Sequence, residues 1–218
     1  MSDPVTEIVA LTLVPDVELS VFATARTTML AQPGCRRLRV SLLHEDPNQA
    51  RLFVDWDSVA DHEAFTKTPD FAKVMTEQLL PQLAGPPSSA VHAKLDPYPA
   101  AVLYGDSSSA STGKGGLLEM LSLYFASGTP ETDVAQGFVA EFRACGAKGF
   151  TGHLSAGWVR EDVVHEGETR RLFVILCGWE SVEAHGAFRA TEDSGRLIPK
   201  IQALEGLRGR DVFHVRAE

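Results

Sequence analysis

The sequence predicts an α+β chain built as two tandem βαββαβ units, and three observations predict it. First, the segment from Trp56 to Phe65 (WDSVADHEAF) returns from Trp179 to Phe188 (WESVEAHGAF) with six of ten positions identical. The copies lie 123 residues apart (56 to 179), too far for a solenoid unit, so a whole domain is duplicated. Second, β-forming runs and helical stretches follow the same order on both sides of the middle. Third, a Gly/Ser-rich stretch separates the halves. A chain of 218 residues accommodates two units of about 100 residues, each able to bury a core.

In the first half, Glu7 to Val14 is apolar and rich in β-formers, a strand that Pro15-Asp16 ends. Leu19, Phe22, Met29 and Leu30 then suit a helix, which Gln32-Pro33-Gly34 stops. Strands over Arg37–His44 and Arg51–Trp56 flank the turn Glu45-Asp46-Pro47-Asn48 as a hairpin. Asp57 or Ser58 can cap the next helix by accepting an orphan amide hydrogen bond. A second helical segment follows Thr68-Pro69-Asp70. There Phe71, Val74, Met75, Gln78 and Leu79 form a core-facing stripe. Ser88 to Leu95 completes the unit, whose order is ferredoxin-like.

Residues 101–113 read as a linker, with Gly105 to Gly113 rich in serine. This gives units at 1–100 and 114–218. Gly113-Lys114-Gly115 lacks the lead-in and the following Ser or Thr of a phosphate loop. In the second half Leu117–Phe125 is the first strand, with Leu121-Ser122-Leu123 echoing Leu11-Thr12-Leu13. A helix from Thr129 to Ala144, a hairpin over Gly149–Arg160 and Arg171–Trp179, the repeated helix and a last strand at Asp211–Arg216 follow.

Composition narrows the function. A formal charge of −9 argues against nucleic acid as a partner, because phosphate binding needs a basic face. No apolar run approaches the roughly 20 residues of a membrane span, and the start lacks a signal-peptide pattern, so a cytoplasmic protein is expected. Three cysteines without metal-ligand spacing read as reduced thiols.

A βαββαβ unit with tryptophan ending its third strand and a helix reading S-V-x-x-H-x-A-F resembles the antibiotic biosynthesis monooxygenase (ABM) family and the wider dimeric α/β-barrel superfamily. The resemblance covers both halves and omits the linker. It implies an intramolecular, pseudo-dimeric α/β barrel in one chain, monomeric or paired as a homodimer. It also implies a pocket between the sheet and helices of each unit. The expected activity is cofactor-independent oxygenation of an aromatic polyketide-type phenol, in which a base makes an enolate that itself reduces O2. No metal or cofactor is implied. A cyclase, isomerase or decarboxylase using the same pocket, or a non-catalytic binding or stress-response protein, are the alternatives. Haem-degrading members carry a helix histidine where this chain has Phe65 and Phe188, and plant-type cyclases carry His-Pro-x-His where it has Thr68-Pro69-Asp70-Phe71. Neither mechanism carries over.

Candidate residues follow from the repeat. His62 and His185 border the apolar helix face, where an imidazole can act as a general base or as a hydrogen-bonded spacer. His92 and His214 occupy matching last strands, and His44 and His153 lie on the second strands. Trp56 and Trp179 can stack on a flat ligand or plug the fold. The second half gathers more aromatic and polar candidates, so His185, His153 and His214 are its expected catalytic residues. Trp179, Tyr124, Trp158, Trp56, His62 and His92 are the expected ligand-contact residues. No repeated carboxylate pair and no metal-ligand cluster is read.

Overall fold

The computed structural model describes residues 3–104, 116–131 and 136–216; the core of the expected linker, Asp106 to Gly113, lies outside them. The first unit comprises β1 (Val5–Thr12), α1 (Ala23–Leu30), β2 (Cys35–Leu42), β3 (Gln49–Trp56), α2 (Val59–Phe65), α3 (Pro69–Lys73) and β4 (Ser89–Ala93). A π-helical turn, Val74–Leu79, extends α3. After the short α4 (Ala101–Tyr104), the second unit has β5 (Leu117–Ala126), α5 (Gln136–Ala144), β6 (Phe150–Trp158), β7 (Val163–His165), β8 (Glu168–Trp179), α6 (Val182–Arg189), α7 (Glu192–Gln202) and β9 (Leu207–Arg216). Both units are ferredoxin-like, in the order β2-β3-β1-β4 and β6-β8-β5-β9, all antiparallel.

Alternation along each strand separates the faces. Val5, Val9 and Leu11 of β1 turn toward the helices with Leu52, Val54 and Trp56 of β3, and in the second unit Leu117, Leu121 and Leu123 do so with Ile175, Cys177 and Trp179. The opposite parity, including Ile8, Phe53, Val91, Leu118, Val174, Leu176 and Val215, forms a third core shared by the two sheets. This parity puts His92 and His214 on the helix side, since their neighbours Val91 and Phe213 belong to the shared core.

The sheets also join edge to edge. Lys94 N donates to Trp158 O (2.9 Å) and Asp96 N to Ala156 O (2.8 Å), so β4 continues into β6. His44 N donates to His214 O (2.8 Å) beside a Leu43–Val215 bridge, so β9 returns to β2. Eight strands thus close a ring, which satisfies the edge amides that an open sheet leaves bare. At the first seam a Cβ on Gly157 would lie 1.8 Å from Lys94 O, so this approach requires glycine.

Candidate functional site

Each copy of the repeated segment builds the same local structure. Tryptophan ends the strand, and serine caps the helix: Ser58 accepts from Asp61 N (3.2 Å) and Ser181 from Ala184 N (3.1 Å). The histidine falls one turn after the cap and stacks on the tryptophan. Ring centroids are 5.2 Å apart for Trp56–His62 and 4.8 Å for Trp179–His185. Glycine at positive φ brings the next strand's entry under that helix. A Cβ on Gly34 would meet Asp61 Cβ at 2.5 Å, and one on Gly149 would meet Ala184 Cβ at 2.5 Å.

A hydrogen-bonded chain runs outward from each tryptophan. In the second unit Trp179 Nε1 donates to Glu119 Oε2 (2.7 Å), and His185 Nε2 stands 3.5 Å from the same oxygen. His185 Nδ1 meets His214 Nε2 at 2.7 Å, and His214 Nδ1 meets Glu45 Oε1 at 2.5 Å. In the first unit Trp56 Nε1 donates to Glu7 Oε2 (2.9 Å), with His62 Nε2 3.6 Å from Glu7 Oε1. There His62 Nδ1 meets His92 Nε2 at 2.8 Å and His92 Nδ1 meets Glu161 Oε1 at 2.5 Å. The outermost carboxylate comes from the opposite unit each time: Glu45 serves His214, and Glu161 serves His92.

The carboxylates fix the hydrogens. Glu45 also accepts from the His214 amide (3.1 and 3.0 Å), so it is a multiple acceptor. Burial alone would raise its carboxyl, but the His214 hydrogen bonds outweigh burial and hold it below its usual value; Glu161 behaves likewise against His92. With the carboxylate ionised, His214 donates from Nδ1 and accepts at Nε2. His185 must then donate from Nδ1, which leaves its Nε2 lone pair facing Glu119. Burial first, then electrostatic coupling to the neighbouring His214 and to the Arg189 cation, push the His185 imidazole down to about 4. Burial raises the Glu119 carboxyl, and the Trp179 hydrogen bond offsets this only in part. Both directions favour a neutral pair. Burial likewise lowers His62.

Glu119, Trp179 and His185 line a pocket of about 190 Å³ between the second sheet and its helices, walled by Phe138, Phe142, Ile175 and Phe188 among others. His214 stands behind His185 as its hydrogen-bond partner. The other expected residues are placed elsewhere. Tyr124 has the opposite parity on β5, stacks on His165 with centroids 3.7 Å apart and donates to Asp211 Oδ2 (2.9 Å). Trp158 packs on Phe125 and Phe173 and borders a different cleft with Arg143 and Tyr98. His153 lines a surface cleft beside Pro97 and Val102. Trp56, His62 and His92 form the first unit's chain, and Trp56 and Trp179 are both fully buried.

Sequence reading missed four carboxylates. Val5 opposes Trp56 and Leu117 opposes Trp179, so the first strands correspond at a spacing of 112 (5 to 117). This register makes Leu11 equivalent to Leu123 rather than Leu121, and it superposes Glu7 on Glu119. The repeated Glu45-Asp46 and Glu161-Asp162 after the second strands were the available signal for the other two.

Glu7, His62 and His92 also present one donor atom each within 4.8 Å of one another, a grouping absent from the sequence reading. Two imidazoles on a tetrahedral ion stand about 3.3 Å apart at the donor nitrogens. The 2.8 Å between His62 Nδ1 and His92 Nε2 is instead a hydrogen-bond separation. These donors are committed to the chain, and the set fits a metal poorly as it stands.

The fold and site together define a tandem α/β barrel carrying two buried Trp–Glu–His–His–Glu chains, one of them opening on a pocket. Residues 16–77, within the first unit, match the family model described as antibiotic biosynthesis monooxygenase, and the second unit repeats the same fold. Among solved structures, an anthrone oxidase-like protein superposes with a TM-score of 0.66 at 12% identity, over 100% of this chain and 94% of that one. A proposed monooxygenase from Lactobacillus acidophilus gives 0.59 at 9%, covering 99% and 95%. Chlorite dismutase from Candidatus Nitrospira defluvii gives 0.56 at 10%, covering 100% and 92%. At these identities the likenesses establish the fold. No curated protein matches the chain. Among the described residues no helix is long and apolar enough to cross a membrane.

Proposed function

We propose that this chain is a small-molecule monooxygenase of the cofactor-independent kind, acting on an aromatic polyketide-type phenol in the second unit's pocket. The observation that carries the reading is His185: a buried imidazole lining an apolar pocket, neutral at pH 7, with its free nitrogen beside Glu119. The ABM match and the monooxygenase-fold neighbours support the class.

His185 Nε2 takes a proton from the activated carbon or hydroxyl of the substrate. Burial weakens this base in the empty pocket. The imidazolium that forms is stabilised, through His214, by the Glu45 carboxylate, and its new Nε2–H faces an oxygen of the Glu119 carboxyl, which together offset part of the desolvation. The substrate carbanion reduces O2, and carbon–oxygen bond formation followed by reprotonation gives a hydroperoxide. Loss of water leaves the ketone, so one oxygen atom enters the product and the other departs as water. Trp179, Phe142 and Phe188 pack on one another and line the pocket with aromatic surface, against which a substrate ring would rest.

The test is turnover of anthrones, naphthols and other phenols with and without air, with product mass and 18O2 incorporation measured. Addition of one labelled oxygen supports the reading. Equal turnover without air assigns a cyclase, isomerase or decarboxylase instead, and no turnover of any phenol sinks the proposal.

A further inference from the structure

The second unit's pocket carries two cations that its base has no need of. Arg189 ends α6 and Arg210 lies on β9; both line the pocket and both are exposed. Neither has a hydrogen-bond or ion-pair partner among the described residues. Several other arginines of this acidic chain are ion-paired, as in Arg36–Asp57, Arg171–Glu131 and Arg196–Asp193, although Arg26 on α1 also has no such partner among the described residues. Arg189 stands four residues after His185, one turn along the same helix face, where Cβ atoms are about 6 Å apart. The equivalent positions in the first unit are Thr66, four residues after His62, and Ser88, four before His92. At these two equivalent positions the cations occur in the second unit alone, although both copies keep the histidine chain.

From this geometry we infer, on the reading of this pocket as the reaction site, that its substrate is a small hydroxyaryl carboxylic acid. The ring lies among Trp179, Phe142 and Phe188, and the carboxylate sits on Arg189 and Arg210. Size points the same way: a cavity of about 150 Å³ takes benzene, so about 190 Å³ takes one ring with substituents or two small fused rings. An anion is the ligand that two guanidiniums without a hydrogen-bond or ion-pair partner among the described residues recognise, since each presents a planar fork to carboxylate oxygens. It also bears on the chemistry. The Arg189 charge is among the causes that lower the His185 imidazole, and a bound carboxylate cancels part of that field. Binding the acid therefore strengthens the base that acts on it.

The test is calorimetric binding of 6-hydroxy-2-naphthoate and its neutral partner 6-hydroxy-2-naphthamide to the full chain. The naphthoate is expected to bind roughly tenfold tighter at low salt, with the advantage shrinking in 0.5 M salt, a concentration of roughly that order being enough to screen exposed charges. The double variant Arg189→Gln/Arg210→Gln is expected to erase the advantage, weakening naphthoate binding far more than naphthamide binding. Equal affinities in the wild type, an advantage that survives the double substitution, or no binding of either compound would overturn the inference. The readout is independent of turnover. Oxygenation of neutral phenols without a carboxylate preference would sink this inference alone, whereas carboxylate-selective binding without O2 consumption would sink the oxygenase reading alone.

Discussion

Replacing Glu45 with glutamine tests whether the carboxylate donated by the first unit matters to chemistry in the second. The substitution keeps the side chain's shape and one acceptor oxygen but removes the charge that faces His214 Nδ1 at 2.5 Å. A hydrogen bond to a charged group is worth about 1.5–3 kcal/mol. The Glu45 side chain is 45% exposed, so solvent screening places its contribution at the lower end. That contribution is felt most when His185 becomes an imidazolium, because only then does the chain carry positive charge. A loss of about 1.4 kcal/mol in the transition state lowers kcat about tenfold. The assay is the pH profile of kcat in Glu45→Gln, Glu45→Asp and Glu161→Gln. Glu45→Asp should recover part of the rate, and Glu161→Gln, which makes the same change in the histidine chain of the first unit, should leave kcat close to wild type. Equal rate losses in Glu45→Gln and Glu161→Gln, or an unchanged pH profile in the former, would refute the argument.

Three further outcomes are expected. His185→Ala should lower turnover by roughly 10²-fold or more, the usual range for a lost general base, while His62→Ala lowers it much less; equal small losses would remove both helix histidines from the mechanism. Chemical denaturation should show stability falling as pH drops from 6.5 toward 4. The unfolded His185 imidazole takes up its proton near 6.5 and the folded one only near 4, an effect on the order of 3 kcal/mol, and His185→Gln should flatten this limb. The Glu45 and Glu161 carboxylates, held below 4.5 in the fold, add a loss of the same sign at lower pH. Gly157→Ala should cost about 3 kcal/mol or more, since its Cβ would meet Lys94 O, and lower Tm by about 6–12 °C in a melting experiment.

The tryptophan–histidine segment was legible because its ten residues are contiguous, so an alignment by eye captures strand end, cap and helix together. The order of strands and helices along the chain, and the stripe of Phe71, Val74, Met75, Gln78 and Leu79, followed from periodicity. The carboxylates escaped for two physical reasons. Glu7 and Glu119 sit in strands whose apolar residues alternate so regularly that a two-residue slip still matches leucine to leucine; only pairing with the tryptophans sets the register. Glu45 and Glu161 contact histidines 169 and 69 residues away, in the opposite unit, and no local pattern reports such a contact. Tyr124 and Trp158 were counted as pocket lining from composition alone, whereas strand parity sends Tyr124 to the barrel side and a different cleft receives Trp158.

The exchange of carboxylates between units has a consequence for a shortened chain. Cut at the middle of the gene, the second half alone would expose the outer strands β6 and β9 and the apolar face of its sheet. A second copy of the same half can cover both, because Glu161 follows β6 just as Glu45 follows β2. In that assembly Glu161 of each subunit would reach the partner's equivalent of His214, and two identical open pockets would result. The fused chain thus holds two units in the arrangement of a symmetric dimer while letting their sequences differ: the second carries Arg189 and Arg210 where the first has Thr66 and Ser88, and the first lends Glu45 to the second. A half-length protein running as a stable dimer on a sizing column would be the direct sign of that ancestry.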